Sequence, residues 1–201
     1  MGTDIKIFAE RLQDGQWTLL SITEDLSKES HQDLSTLEII DIGRPYGFFA
    51  VLAGVRRERF LKLYGVDIIP ISRPRGLPKD LSPFLKTYIE IEDDNCWNAS
   101  WLLVQELISF NWEKLIKFYG LVEPQYANLF SSNQPFPYEQ WPENAHCYSL
   151  NSNYLPKSDN VQVSWVESYR EFVGSEFLDY FFGELLLLGS PKEVRIIFYF
   201  Y

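Results

Sequence analysis

An Asp-Gly pair near the N-terminus constrains the fold of this chain more than any other feature. Asp14-Gly15 separates two runs of β-type sequence, DIKIFAERL at residues 4–12 and QWTLLSIT at residues 16–23. A two-residue type I′ turn needs positive φ at both central residues, and Asp-Gly tolerates it. The sequence therefore predicts an antiparallel hairpin with strands at about 4–11 and 16–22.

The C-terminal part predicts a buried helix followed by a buried strand. SEFLDYFFGELLLL, residues 175–188, places large apolar side chains at i, i+4 spacing, and Gly189 and Pro191 then end the helix. The final run, VRIIFYFY at residues 194–201, is apolar almost throughout, as expected of a central strand covered on both faces. VQVSWVES, residues 161–168, alternates like a further strand.

Other helices are predicted in the middle of the chain. One begins at Pro45, its first helical position, and runs into the arginines at 56–59, and one spans 81–89 with Asp80 as its cap. A third starts at Ser100 as N-cap, and EKLIKFYG either continues it or forms a second helix. Residues 66–79 contain three prolines, so they predict an ordered loop with a short edge strand at 67–71.

Strands and helices are mixed, and the first and last elements are strands. This order predicts an α+β fold in one domain, residues 1–201, whose mixed or antiparallel sheet packs with about three to four helices. Residues 123–160 carry five prolines and many Asn and Ser, which predicts a long irregular excursion. A connection of that length is usually functional or mobile.

Cysteine content and hydropathy predict where the protein resides. The chain has two cysteines, Cys96 and Cys147, too few for a disulfide framework and compatible with a reducing compartment. It has no apolar run of about 18 residues, so no membrane span is expected. The N-terminus lacks the basic and apolar regions of a secretory signal. We therefore expect a cytoplasmic protein.

The net charge is −10, from 18 basic and 28 acidic residues, which disfavours general nucleic-acid binding. The charge is unevenly distributed. Residues 44–79 contain eight basic and two acidic residues, so this segment is +6 and the remainder is −16. A small anion therefore remains a possible partner.

The stiff loop Arg73-Pro-Arg-Gly-Leu-Pro presents two guanidinium groups, whose planar forks suit phosphate and carboxylate. Together with Arg44 and Tyr46, Arg73 and Arg75 are candidate contacts for a small, nucleotide-like anion. The alternative is that these arginines pair with the acidic segment at 24–41.

A row of aromatic and acidic residues is the second candidate site. If the strand at 161–168 continues, Trp165, Glu167 and Tyr169 share one face and could bind a base or sugar. Trp101 is a further candidate ligand contact, and Glu167 is a candidate general acid or base. The alternative is cross-strand packing, with Glu167 paired to an arginine.

Metal and cofactor sites are not predicted. His146, Cys147 and Cys96 lack zinc-ligand spacing, and His31 lies in a polar stretch. No Walker A or G-x-G-x-x-G motif occurs. We expect no metal and no cofactor.

Several blocks of the sequence together resemble a family of bacterial and phage proteins without an established activity. They are MGTDIKIFAE with Trp17, RPYGFFAVLAGVR at 44–56, RGLPKDLSP at 75–83, Ser100-Trp101-Leu102, and GSPKEVRIIF at 189–198. The resemblance implies one domain in an intracellular setting. Two positions depart from it: Asn98 stands where such proteins often have histidine, and Tyr199-Phe200-Tyr201 where they tend to end in aromatic-Asp-Asn.

Three functions follow as hypotheses. The first is non-catalytic binding of a small anionic ligand through the arginine-rich loop. The second is a protein-protein interaction module or homo-oligomer of phage or prophage type, since aromatic residues and arginine are common interface anchors. The third is a hydrolase or transferase that uses Glu167, for which no nucleophile and base pair is identifiable.

Overall fold

The N-terminal strands pair as the Asp14-Gly15 turn requires. The structure is a computed structural model, and it describes residues 2–20, 42–92, 97–151 and 159–201. Asp14 has a φ of 49° and Gly15 a φ of 79°, the left-handed pair of a type I′ turn. Strands β1 (Ile5–Gln13) and β2 (Gln16–Leu20) are antiparallel. The predicted hairpin is confirmed.

Further along the chain, ten more strands and α-helices follow among the described residues. They are α1 (Tyr46–Ala53), α2 (Arg57–Tyr64), α3 (Pro83–Glu92), β3 (Trp97–Leu103), α4 (Val104–Ser109), β4 (Leu115–Val122), β5 (Val161–Ser168), α5 (Tyr169–Val173), α6 (Ser175–Leu187) and β6 (Val194–Phe200). The α+β fold class is confirmed.

The chain divides into two compact units. Unit 1 comprises the described residues of Met1–Tyr46, Ile71–Phe110 and Glu176–Tyr201, and unit 2 comprises Gly47–Pro70 and the described residues of Asn111–Ser175. The proposal that residues 1–201 form one domain stays a prediction. The acidic segment at 24–41 lies outside the described residues.

Unit 1 is built on a four-stranded antiparallel sheet in the order β2-β1-β6-β3. All seven residues of β6 are buried, which confirms the predicted central strand. On one face, Phe8 and Ile197 pack with Leu85 and Ile89 of α3. The helix predicted over 81–89 is therefore present, and its apolar side chains complete this part of the core.

The same face of the sheet continues into a buried ion pair. Glu10 on β1 lies opposite Arg195 on β6, with 2.6 Å between Oε2 and Nη2, and their side chains are 0% and 2% exposed. Arg195 also donates to the Asp80 carboxylate at 2.8 Å, and its guanidinium carbon lies 3.9 Å from the Trp17 ring centroid. Asp80 was predicted to cap α3, but its carboxylate binds Arg195 and Trp17 instead.

Unit 2 contains the two-stranded antiparallel sheet β4-β5, paired from Leu115 with Ser168 to Val122 with Val161. The strand predicted at 161–168 is confirmed. The helix predicted beyond Pro45 ends at Ala53, because Gly54 and Arg56 both have left-handed φ, and a new helix, α2, begins at Arg57.

Three local predictions are wrong. Ser100 does not cap a helix: it lies in β3 opposite Phe198, since the open edge of β6 pairs with this segment, and the helix starts only at Val104. EKLIKFYG is not helical, because residues 115–122 form β4 against β5. Residues 67–71 form no strand.

Candidate functional site

Two aromatic rings and one carboxylate form the floor of a cavity in unit 2. Phe118 on β4 lies opposite Trp165 on β5, and the rings stack with centroids 5.7 Å apart at 15°. Alternation along a strand puts Glu167 on the same face as Trp165. The pairing of β4 with β5 therefore fixes the position of all three side chains.

The irregular segment after β4 supplies one wall. Residues 123–151 contain two 3-10 helices, Pro124–Leu129 and Tyr138–Gln140, and no strand or α-helix. The ring of Phe136 meets Trp165 at 5.3 Å, Trp141 at 5.1 Å and Tyr138 at 4.7 Å. These ring contacts pack the segment over the β4-β5 sheet.

Backbone hydrogen bonds also hold this segment to the sheet. The amide of Val166 donates to the Gln134 carbonyl at 3.0 Å. Leu121 and Tyr148 exchange two hydrogen bonds of 2.8 Å, which form an isolated β-bridge. The wall is therefore attached at both ends of its aromatic stretch.

Helices α2 and α5 supply the opposite wall. Phe60 of α2 and Phe172 of α5 meet edge to face at 4.9 Å and 83°, and Tyr64 of α2 lies 6.4 Å from Phe118. A Cβ at Gly47 of α1 would come within 3.3 Å of the Phe172 ring. Glycine at that position allows α1 to pack closely against α5.

These walls line an open cavity of about 490 Å³. Eight of the ten lining residues are aromatic. Glu167 is the one lining residue of a type that is charged at neutral pH. The full set is Phe60, Tyr64, Phe118, Phe136, Tyr138, Trp141, Cys147, Trp165, Glu167 and Phe172.

Glu167 accepts a hydrogen bond of 2.8 Å from the indole Nε1 of Trp165. Burial raises the pKa of Glu167, the Trp165 hydrogen bond lowers it, and repulsion from Glu171 raises it again, so that the net shift is upward. None of the described lysines or arginines forms an ion pair with Glu167. The predicted pairing of Glu167 with an arginine is therefore not seen in the described part of the chain.

Tyr138 and Cys147 are weaker acids that also line the cavity. Burial, then the charges of Glu167 and Glu171, raise the pKa of the Tyr138 hydroxyl. Burial raises the pKa of Cys147 to about 11. At neutral pH, both groups are therefore protonated.

The predicted anion contacts lie in unit 1, and two of the arginines are occupied. Arg75 donates two hydrogen bonds, of 2.9 and 2.6 Å, to the Glu106 carboxylate, and its guanidinium carbon lies 5.0 Å from the centroid of the Trp101 ring. Arg44 likewise donates hydrogen bonds of 2.5 and 2.7 Å to the Asp4 carboxylate. Both guanidinium forks therefore already hold a carboxylate of the same chain.

Arg73 and Tyr46, the other two predicted anion contacts, lie two residues from Arg75 and Arg44 in the sequence. Arg73 is exposed in the proline-rich loop, whose position is fixed by hydrogen bonds from Arg75 N to Ser100 Oγ and from Gly76 N to Ala99 O. The Tyr46 hydroxyl accepts from the Thr3 amide at 3.4 Å. The structure thus brings Arg75 to Trp101, whereas Arg44 and Tyr46 contact the N-terminal residues.

The prediction that Tyr169 shares a face with Trp165 and Glu167 is wrong. The strand ends at Ser168, whose hydroxyl caps α5, and Tyr169 is the first residue of that helix. Its buried hydroxyl accepts from the Ile69 amide at 3.0 Å. The capping box of Ser168 and Glu171 is the sequence signal that marks this change of direction.

Sequence reasoning identified only Trp165 and Glu167 of the cavity. The missed aromatic residues come from α2, β4, α5 and the irregular segment at 123–151, and no short motif connects them. One usable signal was present: residues 130–141 carry four aromatic side chains between prolines, an unusual composition for a solvated loop.

The chain was compared with known proteins, and neither family models nor curated proteins nor solved structures give a match. The resemblance to the bacterial and phage family therefore stays a prediction. Among the described residues, no helix is long and apolar enough to cross a membrane. No group of three or more His, Cys, Asp or Glu side chains that could hold a metal ion occurs in that same part of the chain.

Proposed function

We propose that this protein binds a small organic molecule in the aromatic cavity of unit 2 and does not transform it. The cavity itself carries the proposal. Its volume of about 490 Å³ lies within the range of small-molecule sites, and its largely aromatic walls surround one carboxylate that can orient a ligand.

Binding fits the lining better than catalysis does. Cys147 is a neutral thiol at neutral pH because its pKa is about 11, and a thiol is a weak nucleophile without its thiolate form. Glu167 accepts its hydrogen bond from an indole, which cannot act as a nucleophile. A hydrolase or transferase that uses Glu167 stays a prediction, and it would require a Glu167→Gln variant to lose the activity.

The geometry favours the cavity over the arginine-rich loop as the ligand site. The side chains of Arg44 and Arg75 already pair with Asp4 and Glu106, so an incoming anion would have to displace a carboxylate. A small anionic ligand at Arg73 and Arg75 nevertheless stays a prediction, which the same screen tests.

The test is a thermal-shift screen of neutral, cationic and anionic small molecules, including nucleotides and sugar phosphates. A ligand that binds the folded state raises the Tm. We expect hits with the wild type and with a Tyr180→Ala variant, and smaller shifts with Tyr138→Ala. Tyr138 lies at the rim of the cavity and Tyr180 on α6 of unit 1, and both are more than half exposed, so each truncation should be tolerated.

Two results would contradict the proposal. In one, no compound shifts the Tm of the wild type. In the other, a compound shifts the Tm of all three proteins equally, which places its site outside the cavity.

A protein-protein contact is the second candidate, and the surface of α6 favours it. Tyr180 is 59% exposed and Leu187 80% exposed, with Gly183 between them on the same side of the helix. Exposed apolar residues grouped in this way are typical of interaction sites. Light scattering after size-exclusion chromatography tests for a homo-oligomer that a Leu187→Glu variant should dissociate.

A further inference from the structure

We propose that the ligand of the aromatic cavity is an organic cation with a quaternary ammonium group, held between the aromatic rings and the carboxylate of Glu167. The inference deepens the proposed function and rests on it. It concerns the chemical class of the ligand, which a pocket alone leaves open.

The carboxylate of Glu167 is the first observation. It is surrounded by aromatic rings and accepts a hydrogen bond of 2.8 Å from the indole Nε1 of Trp165. No lysine or arginine of the described segments neutralises it. A half-buried carboxylate without a cation is unfavourable for the folded protein. A cationic ligand would supply the missing charge.

The orientation of the rings is the second observation. Phe136 meets Trp165 at 82°, and Phe60 meets Phe172 at 83°. Rings at such angles face different directions around the space they enclose. The face of an aromatic ring is negative, so a cation within about 6 Å of several ring centroids is attracted by each of them.

The scarcity of hydrogen-bond acceptors distinguishes a quaternary from a primary ammonium group. A primary ammonium carries three N–H donors, and each needs an acceptor once it leaves water. The lining offers one carboxylate, two tyrosine hydroxyls and a thiol among its side chains. A quaternary ammonium group has no N–H donor, so its methyl groups can pack directly against the rings.

The surrounding charge disfavours an anion at this site. Glu171 lies close enough to raise the pKa of both Glu167 and Tyr138. A phosphate or carboxylate entering the cavity would meet the carboxylate of Glu167 and no lining cation. The volume of about 490 Å³ also leaves room for an organic group attached to the ammonium.

A matched pair of probes tests the proposal. (3-Hydroxyphenyl)trimethylammonium and 3-tert-butylphenol have the same shape, and only the first is charged. Isothermal titration calorimetry should give the cation at least a tenfold higher affinity for the wild type. Glu167→Gln should remove most of this preference, whereas Glu113→Gln should preserve it, because Glu113 is exposed and does not line the cavity.

The salt dependence of the wild type is a second measurement, which does not depend on any variant. Affinity for the cation should fall between 50 and 500 mM NaCl, and affinity for the neutral probe should not, because salt screens charge interactions. Equal affinities for the two probes would overturn the cation assignment and leave the proposed function intact. If neither probe binds, the cation assignment fails, and the proposed function fails as well when the wider screen is also negative.

Discussion

Burial raises the pKa of Glu167 above its ordinary value, so the folded chain binds this proton more readily than the unfolded chain does. Stability from this group therefore falls as pH rises from the ordinary pKa through the raised folded pKa. We expect Glu167→Gln to raise the Tm at pH 7 by a few degrees, on the order of 1 kcal/mol. The amide needs less desolvation, and its oxygen can still accept from Trp165.

The pH dependence of that gain separates it from a simple packing effect. The difference in Tm between Glu167→Gln and the wild type should shrink as pH falls through the raised pKa, because the wild-type carboxyl becomes neutral. Glu113→Gln, in the same unit and exposed, should change the Tm little. A lower Tm for Glu167→Gln at pH 7 would show that the carboxylate stabilises the fold.

Removal of the Glu10 carboxylate, the buried partner of Arg195, should destabilise the protein, in contrast to removal of the Glu167 carboxylate. The side chains of Arg195 and Glu10 are almost fully buried, so removal of Glu10 leaves the buried guanidinium with only the exposed carboxylate of Asp80 as an ionic partner. We expect Glu10→Ala to lower the free energy of unfolding by about 3–5 kcal/mol, measured by urea denaturation. Glu10→Gln should lose less, because the amide oxygen can still accept from the Ser82 amide.

The exposed pair of Arg57 with Asp67 is the matched control. Its side chains are 47% and 62% exposed, so Asp67→Asn should cost about 1 kcal/mol or less. Equal losses for Glu10→Ala and Asp67→Asn would mean that burial of the Glu10–Arg195 pair has no energetic consequence.

Among the elements, β4 depends on one small residue. A Cβ at Gly120 would lie 2.6 Å from Cys147 Sγ and 3.2 Å from Trp165 Cζ3. We expect Gly120→Ala to destabilise the protein by about 1–3 kcal/mol through overpacking, as measured by urea denaturation. Because the nearest clash is with a thiol, Cys147→Ala in the same chain should recover part of this loss.

A double-mutant cycle decides this prediction. The coupling between Gly120→Ala and Cys147→Ala should be favourable. Cys147→Ala removes the sulfur that the new methyl group would clash with, and the methyl group fills part of the space that the sulfur leaves. Recovery should remain partial because the Trp165 ring stays close. Strictly additive effects would mean that the chain relaxes around the new methyl group without moving Cys147.

Local sequence was sufficient for some elements and insufficient for others. Asp14-Gly15 specifies its own turn, and the apolar β6 can only be a buried element. The segments that became β3 and β4 have spacings compatible with either helix or strand. Their conformation is decided by partners far along the chain, β6 for Trp101 and β5 for Phe118, and no local pattern contains that information.

The candidate site shows the same division. Trp165 and Glu167 could be recognised because strand alternation places both on one face. Tyr138 and Trp141 could not be placed, since an irregular segment has no period from which to infer a direction. The ion pairs of Arg44 with Asp4 and Arg75 with Glu106 were equally hidden, because residues far apart in the sequence form them.

At the scale of the whole molecule, the two units differ in their response to acid. The carboxyls with lowered pKa are in unit 1, where Arg195 stabilises the charged form of Asp80 and Arg75 that of Glu106. The described part of unit 2 contributes Glu167, whose pKa is raised. A carboxyl with a lowered pKa stabilises the folded state at pH values above its unfolded-state pKa. This stabilisation is lost as pH falls through the folded-state pKa. Acid should therefore weaken unit 1 first.

The six tryptophans can report this difference, because three lie in each unit. Unit 1 holds Trp17, Trp97 and Trp101, and unit 2 holds Trp112, Trp141 and Trp165. We expect the indole N–H signals of unit 1 in two-dimensional NMR to lose dispersion at a higher pH than those of unit 2, as pH falls below about 5. Trp17 should respond most directly, since its indole donates to the Asp80 carboxylate.

Asp80→Asn provides the control for this assignment. The amide cannot be protonated in this range, so the variant should be less stable at pH 7 and should lose part of its pH dependence in unit 1. The signals of Trp141 and Trp165 should follow the same pH course in the variant as in the wild type. A simultaneous collapse of all six signals at one pH would contradict the prediction, because carboxyls of opposite pKa shift would then act on a single transition.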